Sequence, residues 1–164
     1  MSKDQELRQA RLVFYENDIQ RIEGEIDTFL ELSKARCVLL VDRDGHLVTR
    51  RGEAMPNQED TISALIAGSF AATREMARLM GENEFAILFH QGQRDSLQLQ
   101  LIGDRTLMAI LFDGRTNLGM VRFYAQETAD RIGKVLEEVL AADRDSGLSE
   151  DYGSSAESAL DDLL

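Results

Sequence analysis

The chain has very few of the residues that support redox chemistry or metal binding: its 164 residues include one cysteine, two histidines, one proline and no tryptophan. A single cysteine, Cys37, cannot form an internal disulfide, and His46 and His90 are too few to build a tetrahedral zinc site. We therefore expect neither a disulfide framework nor a bound metal or other cofactor.

Long hydrophobic runs are also missing. No stretch approaches the roughly 18 uncharged apolar residues of a membrane span. Charges alternate between Lys3 and Arg8, where a signal peptide would carry an apolar core. These absences predict a cytoplasmic protein without membrane insertion.

Basic charge is scarce as well: 30 acidic residues face 18 basic ones, which gives a net charge of −12. Residues 143–164 contain seven of the acids and one of the bases, so half of the net charge lies in this last segment. Negative charge repels phosphate backbones and anionic lipids, which argues against nucleic acid and membrane surfaces as partners. We expect residues 143–164 to be a flexible acidic tail, in which residues 155–164 have the spacing of a short amphipathic helix.

A first helix is predicted at residues 17–34, where apolar residues recur at steps of three and four and Asn17 offers an N-cap. Residues 1–16 are expected to be an N-terminal extension in which Leu12–Tyr15 is an extended run. A single domain, residues 17–142, then lies between this extension and the acidic tail.

The remaining segments predict two more helices and five strands. Helical spacing follows a cap at Asp60 or Thr61 and stops at Gly81, and it begins again near Asn117 or Leu118. Continuous or alternating apolar residues predict strands at 37–41, 46–49, 85–89, 97–101 and 107–112. The order α-β-β-α-β-β-β-α, with short connections between the last three strands, predicts an α+β fold: a five-stranded antiparallel sheet flanked by helices.

Three features that invite a catalytic or metal-binding interpretation have a structural one as well. The string Asp42-Arg43-Asp44-Gly45 resembles the start of a calcium loop, but its glycine comes too early for the ligand spacing, and it fits a hairpin turn. Cys37 lies in an apolar run typical of a buried strand, and His90 has no second ligand at a metal-binding step. Phosphate-binding and nucleophile-elbow motifs are missing too, so we expect an interaction protein and no enzyme.

The second predicted helix has two different faces. Large apolar residues form one face, and small residues at steps of three and four form the other: Ala64, Ala67, Gly68, Ala71 and Ala72. Small side chains allow a second backbone to approach closely. One interpretation is an ordinary alanine-rich helix on its own sheet; the favoured one is a helix that also binds a partner.

Five strings occur in an order typical of one family: LLVDRDG at 39–45, LIAGSFAA at 65–72, GENEF at 81–85, FHQG at 89–92 and FDGRTNLGMVR at 112–122. Together they resemble the roadblock/dynein-light-chain family and, within it, the bacterial MglB-type proteins. The resemblance extends over residues 12–142 and implies a roadblock-like form of the α+β fold.

The resemblance implies a homodimer in which two sheets join edge to edge and the second helices lie side by side. The implied partner is a small Ras-like GTPase of the MglA type, in which the protein activates GTP hydrolysis and, in some relatives, influences nucleotide exchange. The implied setting is cell polarity and motility, at a cell pole. The GTPase-binding residues expected on this basis are Ala64, Ala67, Gly68, Ala71, Arg74, Glu75, Arg115 and Arg122. The expected dimer residues are Ala72, Met76, Phe85, Ile87 and Phe89.

Two other functions stay open: a dimeric roadblock scaffold with no effect on hydrolysis, and a small-molecule sensor domain with a PAS-like or GAF-like sheet. A GTPase regulator works either by inserting an arginine or by holding the partner's own groups in place. The resemblance favours the second mechanism. The candidate arginines for surface contact are Arg74, Arg78, Arg115 and Arg122.

Overall fold

A computed structural model describes residues 2–145 of the chain. Its elements are α1 (Lys3–Ser33), β1 (Cys37–Asp42), β2 (Leu47–Gly52), α2 (Glu59–Leu79), β3 (Ile87–Gln91), β4 (Ser96–Ile102), β5 (Thr106–Phe112) and α3 (Leu118–Asp145). This is the predicted order, and every strand runs antiparallel to its neighbours. The predicted α+β fold is confirmed.

The sheet has the strand order β2-β1-β5-β4-β3, so β5 is central and β2 and β3 form the two edges. In the middle of the sheet, Leu39 of β1 and Leu99 of β4 both lie opposite Ala109 of β5. Strands in this position are covered on both faces, which explains why β1 and β5 are continuous apolar runs and do not alternate with polar residues.

The helix α2 covers one face of the sheet. There Leu39, Leu99 and Ala109 form a buried cluster with Ile66 and Phe70 of α2. Burial of one large apolar side chain contributes about 1.5–3 kcal/mol, so this cluster holds α2 on the sheet.

Residues 22–33 of α1 and 118–133 of α3 lie on the opposite face. Thr49 of β2 donates a hydrogen bond to Glu23 of α1 at 2.9 Å, and Gln100 of β4 donates one to Gln126 of α3 at 3.4 Å. Because side chains alternate along a strand, Gln100 points away from the cluster that contains Leu99. The sheet is therefore sandwiched between one helix and two.

Two glycines adopt the backbone conformation that other residues rarely tolerate. Gly45 has a φ of +91° in the turn between β1 and β2, and a Cβ atom built there would lie 3.0 Å from Cα of Ala64. Gly81, with a φ of +83°, follows the end of α2. The predicted Asp-Gly hairpin turn and the predicted stop at Gly81 are both confirmed.

The predicted start of the first helix is wrong. The helix α1 begins at Lys3, so Leu12–Tyr15 is helical and Asn17 lies inside the helix, where it caps nothing. Residues 4–16 contain no glycine or proline and many strong helix formers, so the helix continues towards the N-terminus through the expected extension.

The predicted cap of the second helix is also wrong. Gln58 is the N-cap residue of α2, it makes no side-chain capping bond, and Asp60 and Thr61 lie within the helix. The carboxylates of Glu59 and Asp60 instead lie in the first turn, where the helix dipole is positive. The acids therefore act through charge and not as caps.

The third helix begins where predicted, because Oδ1 of Asn117 accepts the backbone N–H of Met120 at 3.0 Å and caps α3. The helix continues to Asp145, so residues 143–145 of the expected tail are helical. Residues 146–164, including the predicted terminal helix, lie outside the described residues. The domain limits at 17 and 142 stay a prediction.

The chain divides into two compact units. Residues 22–133 form the larger unit, which holds the sheet and α2. In the smaller unit, Arg21 in the second half of α1 donates a hydrogen bond to Glu138 in the second half of α3 at 2.7 Å. Within residues 2–145, no helix combines the length and apolar character needed to cross a membrane.

Candidate functional site

The helix α2 has three sides, because successive residues are about 100° apart around a helix. Its buried side, with Ile66, Phe70 and Ala77, faces the sheet. Two further sides differ in composition. We name as the apolar side Leu65, Ala72, Met76 and Leu79, and as the small-residue side Ala64, Ala67, Ala71, Arg74 and Glu75.

Large hydrophobic side chains are exposed on the apolar side. The exposed fraction is 67% for Leu65, 53% for Met76 and 77% for Leu79. Monomeric soluble proteins rarely expose several such residues together, so this side is suited to contact with another protein surface. Two of the predicted dimer residues, Ala72 and Met76, lie on it.

Only part of the predicted stripe of small residues reaches the surface. Ala64 and Ala71 are exposed, whereas Ala67 is 7% exposed and belongs to the protein interior. Gly68 is exposed at the boundary between the two outer sides. An approaching surface would therefore meet the methyl groups of Ala64 and Ala71, with Ala64 lying next to the turn at Gly45.

A depression of about 420 Å³ lies beside Ala71 near the C-terminal end of α2 and is lined by Ala71, Arg74, Glu75, Arg78 and Asn83. Arg78 donates hydrogen bonds to Glu75 through Nε and Nη2, the shortest at 2.8 Å. These bonds, together with the charge of Arg74, hold the pKa of Glu75 below its ordinary value. Glu75 is thus ionised at neutral pH, and the positive charge of Arg78 balances its negative charge.

Arg43 and Glu84 extend this charged region beyond α2. Nη2 of Arg43 lies 2.7 Å from Oε1 of Glu84, and Nε of Arg74 lies 3.6 Å from the same oxygen, too far for a good hydrogen bond. Sequence reasoning selects neither Arg43 nor Glu84 nor Asn83 as a binding residue. In the sequence, these three residues are distinguished only by lying within the family-like strings. Their proximity is not visible there, because the β1–β2 turn contacts the end of α2 only in the folded chain.

Arg115 lies in a second charged network, away from the depression beside Ala71. It donates hydrogen bonds to Asp113 and Glu53, both at 3.0 Å. Arg36 contacts the same Glu53 at 2.8 Å, and the guanidinium groups hold the pKa values of Glu53 and Asp113 below their ordinary range. Arg36 precedes β1 and Arg43 follows it, so a strand length of about 20 Å separates the two networks.

Arg122 lies in a third location. It is exposed on α3, and α3 packs against the face of the sheet opposite α2. The structure therefore brings together Ala64, Ala71, Arg74 and Glu75, with Ala67 buried beneath and Gly68 at the margin. It does not bring Arg115 or Arg122 to them.

The predicted dimer residues on the third strand mark a sheet edge. β3 pairs with β4 on one side only, Ile87 is 40% exposed, and half-buried Phe85 precedes the strand. Phe89 stacks on Phe112 with ring centroids 6.1 Å apart, and its side chain points to the face away from α2. At this edge, β3 therefore contributes mainly its unpaired backbone N–H and C=O groups to contact with a partner, and its side chains contribute less.

The turn between β1 and β2 also places three potential metal-ligating side chains together. Ligand atoms of Asp42, Asp44 and His46 lie within 4.8 Å of one another. Oδ1 of Asp42 accepts the backbone N–H groups of Asp44 and His46, each at 2.9 Å, which is the pattern of a turn stabilised by its first aspartate. The turn interpretation is the one that these bonds support.

Cys37 is buried in β1, and burial raises the pKa of its thiol to about 11. The thiol is therefore protonated at neutral pH and a poor nucleophile, in agreement with the interpretation of Cys37 as a small core residue.

A family model described as the Roadblock/LC7 domain matches residues 23–112. The structure of Myxococcus xanthus MglB is similar, with 34% sequence identity over 73% of this chain and 90% of that chain and a TM-score of 0.71. The gliding protein MglB of Thermus thermophilus gives 30% identity over 74% of this chain and 92% of that one, with a TM-score of 0.70. An MglB structure with a tetrameric arrangement has the same values. A comparison with curated protein sequences gave no match. With more than half of the sequence inside the family model and an MglB relative at 34% identity, this chain belongs to the Roadblock/LC7 family.

Proposed function

We propose that this protein is a homodimeric regulator of a small Ras-like GTPase of the MglA type and that it activates GTP hydrolysis in that partner. Family membership and the likeness to MglB support the class of function. The observation that carries the proposal is the small-residue side of α2, where exposed Ala64 and Ala71 leave room for close approach of another backbone beside a charged depression.

The proposed mechanism is to hold the partner's own catalytic groups in place. An inserted arginine finger must leave its contacts in the free protein and reach the partner's nucleotide. Arg78 is bound to Glu75, and Arg115 is bound to both Asp113 and Glu53. These pairs argue against Arg78 and Arg115 as inserted fingers. For Arg74 and Arg122, which are exposed, the test is whether the alanine variant still gives the full stimulated rate of GTP hydrolysis at saturating protein.

The proposed dimer uses the β3 edge together with the apolar side of α2. An unpaired edge strand exposes backbone donors and acceptors, and a two-fold pairing of two such edges satisfies them. The exposed Leu65, Met76 and Leu79 supply the apolar area that such an interface needs. An MglB relative is known in a tetrameric arrangement, which is consistent with self-association in this family.

The proposal also includes a role in cell polarity or motility and a location in the cytoplasm with enrichment at a cell pole. It includes an influence on nucleotide exchange as well. They rest on the resemblance to MglB-type proteins, one of which is described as a gliding protein. The resemblance assigns the influence on exchange to the C-terminal segment, of which residues 146–164 lie outside the described residues.

The test is GTP hydrolysis by an MglA-type GTPase from the same genome, measured with and without this protein and with the variant Ala71→Arg. The variant places a long charged side chain where only a methyl group lies, so binding should weaken by several kcal/mol while folding and dimerisation stay normal. Ala141→Arg, at an exposed position of α3, is the matched control and should behave as the unmodified protein.

Two outcomes would change the proposal. If the protein binds the GTPase without altering its hydrolysis, the scaffold function replaces the activating one. If Ala71→Arg binds and stimulates normally, α2 is not the contact surface. Ala67→Arg is not a useful variant, because Ala67 is buried and the substitution would destabilise the fold itself.

A further inference from the structure

We propose that the depression beside Ala71 receives an acidic side chain of the partner protein, and that Arg74 is the residue that binds its carboxylate. The inference rests on the proposed function, since the partner is the GTPase. It adds the chemistry of one contact and the residue that determines specificity there.

The charges around the depression do not balance. The residues that line the depression carry two guanidinium groups, from Arg74 and Arg78, and one carboxylate, from Glu75. One positive charge is left over, in a chain whose net charge is −12. A site with excess positive charge on an acidic protein selects a partner group of negative charge.

The excess charge can be assigned to Arg74. Arg78 lies 2.8 Å from Glu75 and Arg43 lies 2.7 Å from Glu84, so each has its own carboxylate. Arg74 lies 3.6 Å from Glu84, whose oxygen is already occupied by Arg43. Among residues 2–145, Arg74 has no hydrogen-bond acceptor of its own, and its side chain is 54% exposed.

The shape of the depression suits a carboxylate on a protein side chain. Ala71 is small and exposed, so a partner segment can approach the guanidinium closely, and Asn83, which also lines the depression, has an amide group that can donate. A guanidinium binds a carboxylate through two parallel hydrogen bonds. Glu75 would repel an incoming anion, but its charge is neutralised by Arg78.

The proposal predicts an effect on affinity and none on the chemical step. Arg74→Glu should lower the affinity for the GTP-loaded GTPase about tenfold or more in low salt, because it places like charges opposite each other. Arg74→Ala should lower it about threefold, and this difference should shrink in high salt as the charge is screened. At saturating protein, the stimulated hydrolysis rate of Arg74→Ala should equal that of the unmodified protein.

Arg131→Glu is the matched control: it makes the same charge change at an exposed position of α3, where Arg131 lies 3.5 Å from Glu25 much as Arg74 lies 3.6 Å from Glu84. Its affinity for the GTPase should stay within about twofold, since it lies outside the contact and alters only the long-range field. Because both variants are at exposed positions, circular dichroism and size exclusion should show folded, unaltered proteins.

The outcomes separate this inference from the proposed function. If the unmodified protein does not bind the GTPase, both fail. If Ala71→Arg abolishes binding but Arg74→Glu and Arg131→Glu bind equally well, the surface is correct and the acidic contact is overturned. Inorganic phosphate serves as a probe without the GTPase: saturable phosphate binding that Arg74→Glu abolishes would identify a free-anion site and overturn the side-chain contact.

Discussion

The two edges of the sheet differ in how well they are protected against pairing with another strand. β2 carries Arg50 and Arg51, its pairing with β1 has an irregular register between Leu40 and Val41, and Arg51 is bound to Asp27 of α1 at 2.9 and 2.7 Å. β3, with the sequence Ile-Leu-Phe-His-Gln, has no acidic, lysine or arginine side chain and an unbroken register with β4.

Charged residues and bulges are the usual means by which proteins prevent edge-to-edge association. Charged side chains and an irregular register occur on β2 and not on β3, which indicates that the two edges have different roles. In the proposed dimer, the β3 edge is therefore the one that pairs with a second copy of the chain, and the β2 edge stays unpaired.

The largest expected effect comes from adding a charge to each edge in turn. Ile87 on β3 and Val48 on β2 are matched positions, 40% and 39% exposed. Ile87→Lys should weaken dimerisation by about 2–3 kcal/mol, because two-fold symmetry introduces the charge twice, whereas Val48→Lys should have no effect. Light scattering across a dilution series measures both. If Val48→Lys were monomeric while Ile87→Lys stayed dimeric, β2 and not β3 would be the edge that pairs in the dimer.

The next effect concerns the apolar side of α2, which forms the proposed dimer interface together with the β3 edge. Met76→Glu should weaken dimerisation by about 2 kcal/mol through loss of apolar burial and the cost of a buried charge. Met120→Glu, a change of the same type at 41% exposure on α3, is the control and should leave the dimer intact. Equal dimerisation of both variants in sedimentation velocity would confine the interface to the strand edge.

The smallest effect tests the protection of the β2 edge through pH. Hydrogen bonds from Arg51 lower the pKa of Asp27 below its ordinary value of 3.8. Because the folded pKa is the lower one, the stability that this pair adds is complete above pH 3.8 and is lost as the pH falls through the folded pKa. Arg51→Gln should therefore lower the Tm by about 2 °C at pH 6, and the difference should shrink as the pH falls below 3.8 and Asp27 becomes protonated.

Arg122→Gln removes the same charge at an exposed position on α3 and serves as the control in these melts. Its Tm should follow that of the unmodified protein at every pH. A Tm difference for Arg51→Gln that grows as the pH falls would show that the pair does not stabilise the charged form of Asp27.

Local sequence patterns predicted most elements of the fold, because the forces that make them act over a few residues. The apolar run at β1, the Asp-Gly turn before Gly45 and the stop at Gly81 all depend on neighbours in the chain. The start of α1 was mispredicted for a local reason as well: Leu12–Tyr15 is compatible with both strand and helix, and continuity with the following helix decides between them.

The candidate site was only partly predictable. The spacing of small residues places Ala67 and Ala71 on one side of a helix, yet Ala71 is exposed and Ala67 is 7% exposed. Helical periodicity gives the angle of a residue around the axis, whereas the width of the buried side depends on how α2 lies against the sheet and the turn at Gly45.

By itself, the sequence determined the order of the elements, the antiparallel sheet and the helix that carries the candidate site, since each follows from periodicity and turn chemistry. Only the tertiary structure decided which strands form the edges, that Arg115 lies a strand length from the charged network of Arg43 and Glu84, and that Arg43 binds the carboxylate nearest Arg74. The physical reason is sequence separation: Arg43 and Glu84 are 41 residues apart, and residues so distant become neighbours only when the whole sheet is assembled.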